Sequence, residues 1–140
     1  MSDLRDESVK IQYLIFQAFS VLKKKADTVF RKHGLTGAQV GVLTRLSEIE
    51  GKPMNRISEE LWCDVSNITG VVDRLDKQGL VWRTAHPEDR RVSLISITPK
   101  GKNALAETLP EHEKYLAERI NKLSSDERKT LINLLKKIVS

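Results

Sequence analysis

Residues 86–101 of the chain read HPEDRRVSLISITPKG, with the acidic pair Glu88 and Asp89 set directly before Arg90 and Arg91. A guanidinium offers a planar fork of donors to a phosphate or a base edge, and a neighbouring carboxylate can orient that fork or repel the same polyanion. Acidic residues on a loop facing nucleic acid therefore make sense only if at least one of them steadies an arginine. Upstream, Ser66, Asn67, Thr69, Gly70, Asp73, Arg74 and Lys77 fall on one side of a helical stretch whose other side carries Ile68, Val71, Val72 and Leu75. Hydroxyl, amide and cationic groups mixed on one helix face suit donor and acceptor readout of base edges. They suit a solvated surface as well, because every exposed helix has a polar face.

Other chemistries find less support. His33, His86 and His112 stand far apart on separate elements, and the single thiol, Cys63, has no histidine near it in sequence. No phosphate loop, metal-ligand cluster or nucleophile elbow appears, so neither enzyme activity nor a metal or cofactor is expected. One cysteine cannot form an intrachain disulfide, which makes the cytoplasm the expected compartment.

The elements that would position these residues follow from spacing. Ile11, Leu14, Ile15, Ala18, Leu22, Ala26, Val29 and Phe30 recur at helical intervals up to a stop at His33-Gly34. Thr36 with Gln39 reads as a capping box for a second helix striped by Val40, Leu43 and Leu46 until Gly51. Asn55 can cap a short third helix bearing Ile57 and Leu61, and Asp64 or Ser66 can cap the fourth, which Gly79 ends. Leu80–Ala85 and Val92–Ile97 read as the strands of a hairpin whose tip is residues 86–91. Thr98 then caps a helix that opens with Pro99 and covers roughly residues 99–121, with a kink or break expected at Pro110. Ser124 with Glu127 caps a last helix striped by Leu131, Leu134, Leu135 and Ile138. The order is mainly α with a small β-hairpin: in the middle, a helix-turn-helix with a wing.

Composition agrees with a globular protein. The 140 residues are 39% hydrophobic and 31% charged, and a chain of this length buries enough surface for one core. Its longest uncharged stretches, residues 11–22 and 33–44, are too short for a membrane span, and the acidic N-terminus is unlike a signal peptide, so no membrane partner is expected. Net charge is +5, distributed as +3 over residues 1–52, −1 over 53–99 and +3 over 100–140, so bulk charge does not locate a nucleic-acid face. The basic runs Lys23-Lys24-Lys25 and Lys136-Lys137 read as solvated helix faces.

Asp64, Ser66, Thr69, Asp73, Leu75, Gly79, Leu80, Val81, Arg83, Pro87, Asp89, Arg90, Arg91, Ile97, Thr98 and Gly101, in this order and spacing, resemble the MarR family of bacterial transcription regulators. The Asp-Arg-Arg wing followed by Thr-x-x-Gly is the most specific part. The resemblance implies a homodimer in which residues 1–34 and 100–140 form a helical dimerisation region and residues 35–99 a winged helix-turn-helix lobe that binds double-stranded DNA at a pseudo-palindromic operator. The apolar stripes of the terminal helices point to a partner independently, since they offer more apolar face than a lobe of this size can cover.

On this reading Ser66, Asn67, Thr69 and Arg74 enter the major groove. The resemblance places Arg91 in the minor groove, held by Asp89, and Arg90, Arg83, Lys77 and Arg56 are weaker candidates for phosphate contacts. It also implies a repressor that releases DNA when a small aromatic or anionic effector occupies a cleft between dimerisation helices and lobe. Tyr13, Phe16, Phe19, Trp62 and Trp82 are available to such a ligand, although aromatics so spaced are more often core. Some relatives sense oxidants through a cysteine in the first helix. This chain has none there, and Cys63 reads as packing. The alternative function is a winged-helix module that binds proteins without DNA specificity.

Overall fold

The computed structural model describes residues 2–61 and 65–140. Asp64, Cys63 and Trp62, expected as a cap, a packing thiol and a candidate ligand aromatic, lie outside the described residues. Among the described residues, six helices and three short strands follow in the order α1 Ser2–Lys32, α2 Gly37–Glu48, β1 Lys52–Pro53, α3 Met54–Glu60, α4 Val65–Lys77, β2 Val81–Ala85, β3 Ser93–Ile97, α5 Pro99–Ile120 and α6 Ser125–Val139.

The stop and start signals act where their chemistry requires. The α1 helix closes with the Leu35 amide bonded to the Phe30 carbonyl across Gly34. Both capping boxes form, Thr36 with Gln39 and Ser124 with Glu127. Gly79 takes φ +74°, a left-handed conformation that lets the chain leave α4 and enter β2 at once. Thr98 is the hub of the next junction. Its hydroxyl donates to the Gly79 carbonyl at 2.7 Å and accepts from the Gly101 amide at 3.0 Å, while its own amide donates to the Leu80 carbonyl at 3.0 Å.

Four sequence expectations are corrected. Lys52 and Pro53 form a third strand, pairing antiparallel with Ile95 and Leu94, so the sheet order is β1-β3-β2. Proline is tolerated there because β1 is an edge strand. Asn55 is not a cap: α3 already begins at Met54, preceded by an extended Pro53, and the Asn55 carbonyl accepts from the Ser58 hydroxyl instead. Ser66 likewise lies inside α4, which begins at Val65. At Pro110 the α5 helix does not break. Pro110 and Ala106, whose carbonyl loses its usual donor, are both exposed, so water can replace the missing bond.

The core gathers Val29 and Phe30 of α1, Val42, Leu43 and Leu46 of α2, Ile57 of α3, Ile68, Val72 and Leu75 of α4, and Ile95 and Ile97 of β3. Lys52 is buried with it, and its ammonium meets Glu60 at 2.7 Å and Glu48 at 3.5 Å, tying the edge strand to α2 and α3. The Lys52 hydrogen bond holds the Glu60 carboxyl below its usual range, with help from Arg56. The α5 helix joins α1 through Lys32 and Glu111 at 3.0 Å and through the edge-on pair Phe30 and His112, ring centres 4.9 Å apart.

The α6 helix buries none of its residues, and α1 leaves Tyr13, Phe16 and Phe19 about 60% exposed. These aromatics are thus surface rather than core, and Trp82 is 47% exposed as well.

Gly101 generates a stability prediction. A methyl group there would collide with the Leu80 carbonyl oxygen and lie 2.8 Å from Cγ1 of Ile97. Gly101→Ala is expected to lower the unfolding free energy by about 1–3 kcal/mol. Lys102→Ala on the exposed side should stay within about 0.5 kcal/mol of the parent. Equal denaturant midpoints for the two variants would show that the junction has room to give.

Candidate nucleic-acid interface

The α4 helix is pinned along one side and open along the other. Ile68, Val71, Val72 and Leu75 are buried at i, i+3, i+4 and i+7, which sets the opposite face outward. Ser66, Asn67, Asp73, Arg74 and Lys77 are exposed there, with Thr69 and Gly70 half-buried. Ser66, Asn67, Arg74 and Lys77 have no side-chain partner among the described residues, so their donors and acceptors are available to a ligand. Thr69 is different. Its hydroxyl donates to the Val65 carbonyl at 2.8 Å, leaving the oxygen as an acceptor and the methyl as an apolar contact.

The structure sets Asp73 and Arg83 against each other. The Arg83 guanidinium, on β2, donates to the Asp73 carboxylate and lies 3.9 Å from that of Asp76, one turn further along α4. Its charge is thus engaged within the protein, where it clamps the polar helix to the wing strand. Arg56 is also paired, with Glu60 at 3.3 Å. The spacing of Asp73 and Asp76 marks a carboxylate pair on one helix side, but nothing in the sequence names its partner.

The wing tip is a closed, hydrogen-bonded loop. The His86 amide donates to the Val92 carbonyl at 2.9 Å, the Val92 amide to the Asp89 carbonyl at 3.0 Å, and the Glu88 amide to Nδ1 of His86 at 3.1 Å. The Arg91 guanidinium grips Asp89 with both arms, Nε at 3.1 Å and Nη2 at 3.3 Å, and the Arg91 amide donates to the same carboxylate at 3.1 Å. These contacts hold the Asp89 carboxyl below the usual aspartate range, the Arg91 side chain contributing most and its amide next. The Arg91 side chain is nevertheless 91% exposed, so the pair fixes its direction more than it adds stability. Arg90 and Glu88 are exposed, with no side-chain partner among the described residues. Of the two acidic residues, then, Asp89 alone orients an arginine.

Between lobe and terminal helices opens a cleft of about 920 Å³, lined by Phe19, Leu22 and Phe30 of α1, Gly37 and Ala38 of α2, Leu61, Ile68 of α4, and His112 and Leu116 of α5. Of the candidate ligand aromatics among the described residues, Phe19 alone lines it. Tyr13 and Phe16 line a separate groove beside Arg119 and Ile120, and Trp82 a smaller hollow near Ile49. No group of histidine, cysteine or carboxylate side chains placed to hold a metal occurs among the described residues, and no described helix is long and apolar enough to cross a membrane.

A short helix, a polar-faced helix backed by core residues, and a three-stranded sheet ending in a charged tip define a winged helix-turn-helix lobe. The MarR family profile matches residues 35–93. The chain is 30% identical over 135 residues to the HTH-type transcriptional regulator MhqR of Bacillus subtilis, covering 96% of this chain and 93% of that protein. It therefore belongs to the MarR family of transcription regulators and is not an enzyme. Among solved structures, a mutant of Escherichia coli MarR complexed with operator DNA superposes with a TM-score of 0.86 at 24% identity, covering 96% of each chain. Bordetella bronchiseptica BpsR, whose DNA binding is regulated by 6-hydroxynicotinic acid, gives 0.78 at 24%, over 94% of this chain and 99% of that one. At this identity the likeness is one of fold.

The wing pair can be tested by titration. Because the folded-state Asp89 pKa is depressed, its ion pair is present above the ordinary aspartate pKa and is lost as pH falls through the lower folded value. Carboxyl carbon shifts should show Asp89 titrating below a reference aspartate, and Arg91→Ala should move it up toward that reference. An unshifted midpoint in Arg91→Ala would mean that the arginine does not hold the carboxylate in solution.

Proposed function

We propose that the chain is a sequence-specific, homodimeric DNA-binding repressor. Residues 35–99 would act as the reading lobe, and residues 1–34 and 100–140 as the dimerisation region. The observation that carries the reading is the pairing of two features: a polar face on a core-pinned helix, whose Ser66, Asn67, Arg74 and Lys77 have no side-chain partner among the described residues, and, beside it, an arginine held outward by Asp89. Ser66, Asn67, Thr69 and Arg74 address base edges in the major groove, with Gly70 admitting close approach. Arg91 enters the minor groove, where negative potential attracts a guanidinium. Lys77 and Arg90 serve phosphates. Arg83 and Asp73 keep helix and wing in register rather than meeting DNA, and Arg56, paired with Glu60 within α3 but still exposed, can serve a phosphate.

The apolar faces of α1 and α6 support a second copy as partner. Ile11, Phe16, Leu134 and Ile138 are each at least half exposed, an arrangement that a soluble chain resolves by association. A twofold pair would read a pseudo-palindrome with half-sites roughly one helical turn, or about 10 bp, apart. Occupying such a site at a promoter blocks polymerase, which favours repression. A small aromatic or anionic effector in the cleft would release DNA if it binds better to the lobe spacing that does not fit the operator. The apolar lining and the regulation of BpsR by 6-hydroxynicotinic acid both support a ligand of that kind.

Selection of bound fragments from random duplexes tests the reading, and is expected to return one pseudo-palindromic site. Asn67→Ala and Thr69→Ala should relax preference at defined positions, each base pair being worth about 1–3 kcal/mol of discrimination. Arg91→Ala should weaken binding to every duplex and make the salt dependence shallower by about one phosphate equivalent. Retained sequence preference in both α4 variants, or an unchanged salt slope without Arg91, would contradict the assignment. Repeating the selected-site assay with hydroxylated aromatic acids should show release. Binding of such a compound with no change in operator affinity would remove the effector from the account.

A further inference from the structure

The amide side chain of Gln39 is used at both ends. Its Oε1 accepts from the Thr36 amide at 3.0 Å, closing the capping box of α2, while its Nε2 donates to Oε1 of Gln78 at 3.0 Å. The residue is only 5% exposed. A buried amide deprived of a partner is destabilising out of proportion to the bond it loses, so the group resists being half satisfied. Its two partners belong to different machinery. Thr36 sits on the rim of the cleft with Gly37 and Ala38. Gln78 follows the last residue of α4, continues that helix by donating a hydrogen bond from its backbone amide to the Arg74 carbonyl, and receives Lys100 of α5 on its own carbonyl at 2.8 Å.

We propose that Gln39 is the positioning residue that transmits displacement of the cleft rim to the C-terminal end of the recognition helix. The amide is a spacer of fixed length. If an occupant shifts the Thr36 turn, Oε1 either loses its donor or follows it, and a side chain that follows draws on Gln78. That end of α4 carries Arg74 and Lys77, so its movement alters how the polar face meets a groove. Capping alone does not require the second bond, since the Ser124 and Glu127 box forms within its own turn and no bond from it to another helix occurs among the described residues. The proposed use in effector release rests on the cleft reading above, but the mechanical link does not.

Amide hydrogen exchange of the full chain tests the link without any effector. The reporters are the Gln78, Gly79 and Leu80 amides, bonded to the carbonyls of Arg74, Asp76 and Leu75, with the β3 amides as a reference for global opening. Thr36→Val, which removes the hydroxyl from the capping box, should accelerate the reporters about tenfold relative to that reference. In a Gln78→Met background Thr36→Val should leave them unchanged, and Gln78→Glu, which keeps an acceptor for Nε2, should restore the response. Coupling is reciprocal, so Gln78→Met alone, a change at an exposed residue, should speed exchange of the Thr36 and Gln39 amides; this arm stands even if Thr36→Val does not fold. Equal acceleration with and without the Gln78 side chain, or reporters indifferent to Thr36, would overturn the proposal while leaving the cleft reading intact. Normal coupling in a chain that no compound releases from DNA would do the reverse.

Discussion

A helix can offer base-reading groups to a groove only if something else fixes its depth and rotation, and on the proposed function that constraint falls on α4. Four buried side chains fix its rotation. Its far end is stitched to three neighbours: to β2 through the left-handed Gly79, to α5 through Thr98 and Lys100, and to α2 through Gln39. Its middle is clamped to the wing by Arg83 against Asp73 and Asp76. Ser66, Asn67, Arg74 and Lys77, which have no side-chain partner among the described residues, are those whose chemistry suits a duplex. Rigid support and open donors coexist because the apolar stripe and the polar face occupy opposite sides of one short helix.

Charge is handled locally rather than in bulk. The lobe sequence is slightly acidic over residues 53–99, yet its carboxylates are largely turned inward on cations of the same chain. Glu60 takes Lys52 and Arg56, Asp73 and Asp76 take Arg83, and Asp89 takes Arg91. In the first two groups the pairs hold elements together. In the third the arginine remains almost wholly exposed, so the carboxylate directs it without hiding it. Beside the proposed duplex contact an acidic residue is thereby useful, which net charge by segment would never suggest.

Much of this was legible in the sequence, and the boundary is physical. Periodic apolar residues, two capping boxes, Thr98 with Pro99 and the stop at Gly79 located the helices because each signal lies within one turn of the element it controls. The Asp89 and Arg91 pair was legible only through the family resemblance; the residues by themselves required no more than that one of the two carboxylates steady an arginine. The two-residue strand β1 was not, since Lys52-Pro53 has no alternation to read and takes its identity from Ile95 and Leu94 across the sheet. That α5 would run on through Pro110 without a break was not legible, because the cost of a missing amide depends on whether water reaches the orphaned carbonyl. Long-range partnerships, Arg83 with Asp73, Lys52 with Glu60 and Gln39 with Gln78, join residues whose separation along the chain has no preferred value. The exposed aromatics of α1 fit a core pattern that the single chain does not fill.

What unites lobe and terminal helices is the claim that two copies present two such helices to one duplex. Native mass spectrometry of the full chain on a duplex bearing its selected site tests it most directly. The account predicts a complex of two chains on one duplex, with no accumulation of the one-chain species as protein is added. One chain bound per duplex, with full sequence preference retained, would contradict it.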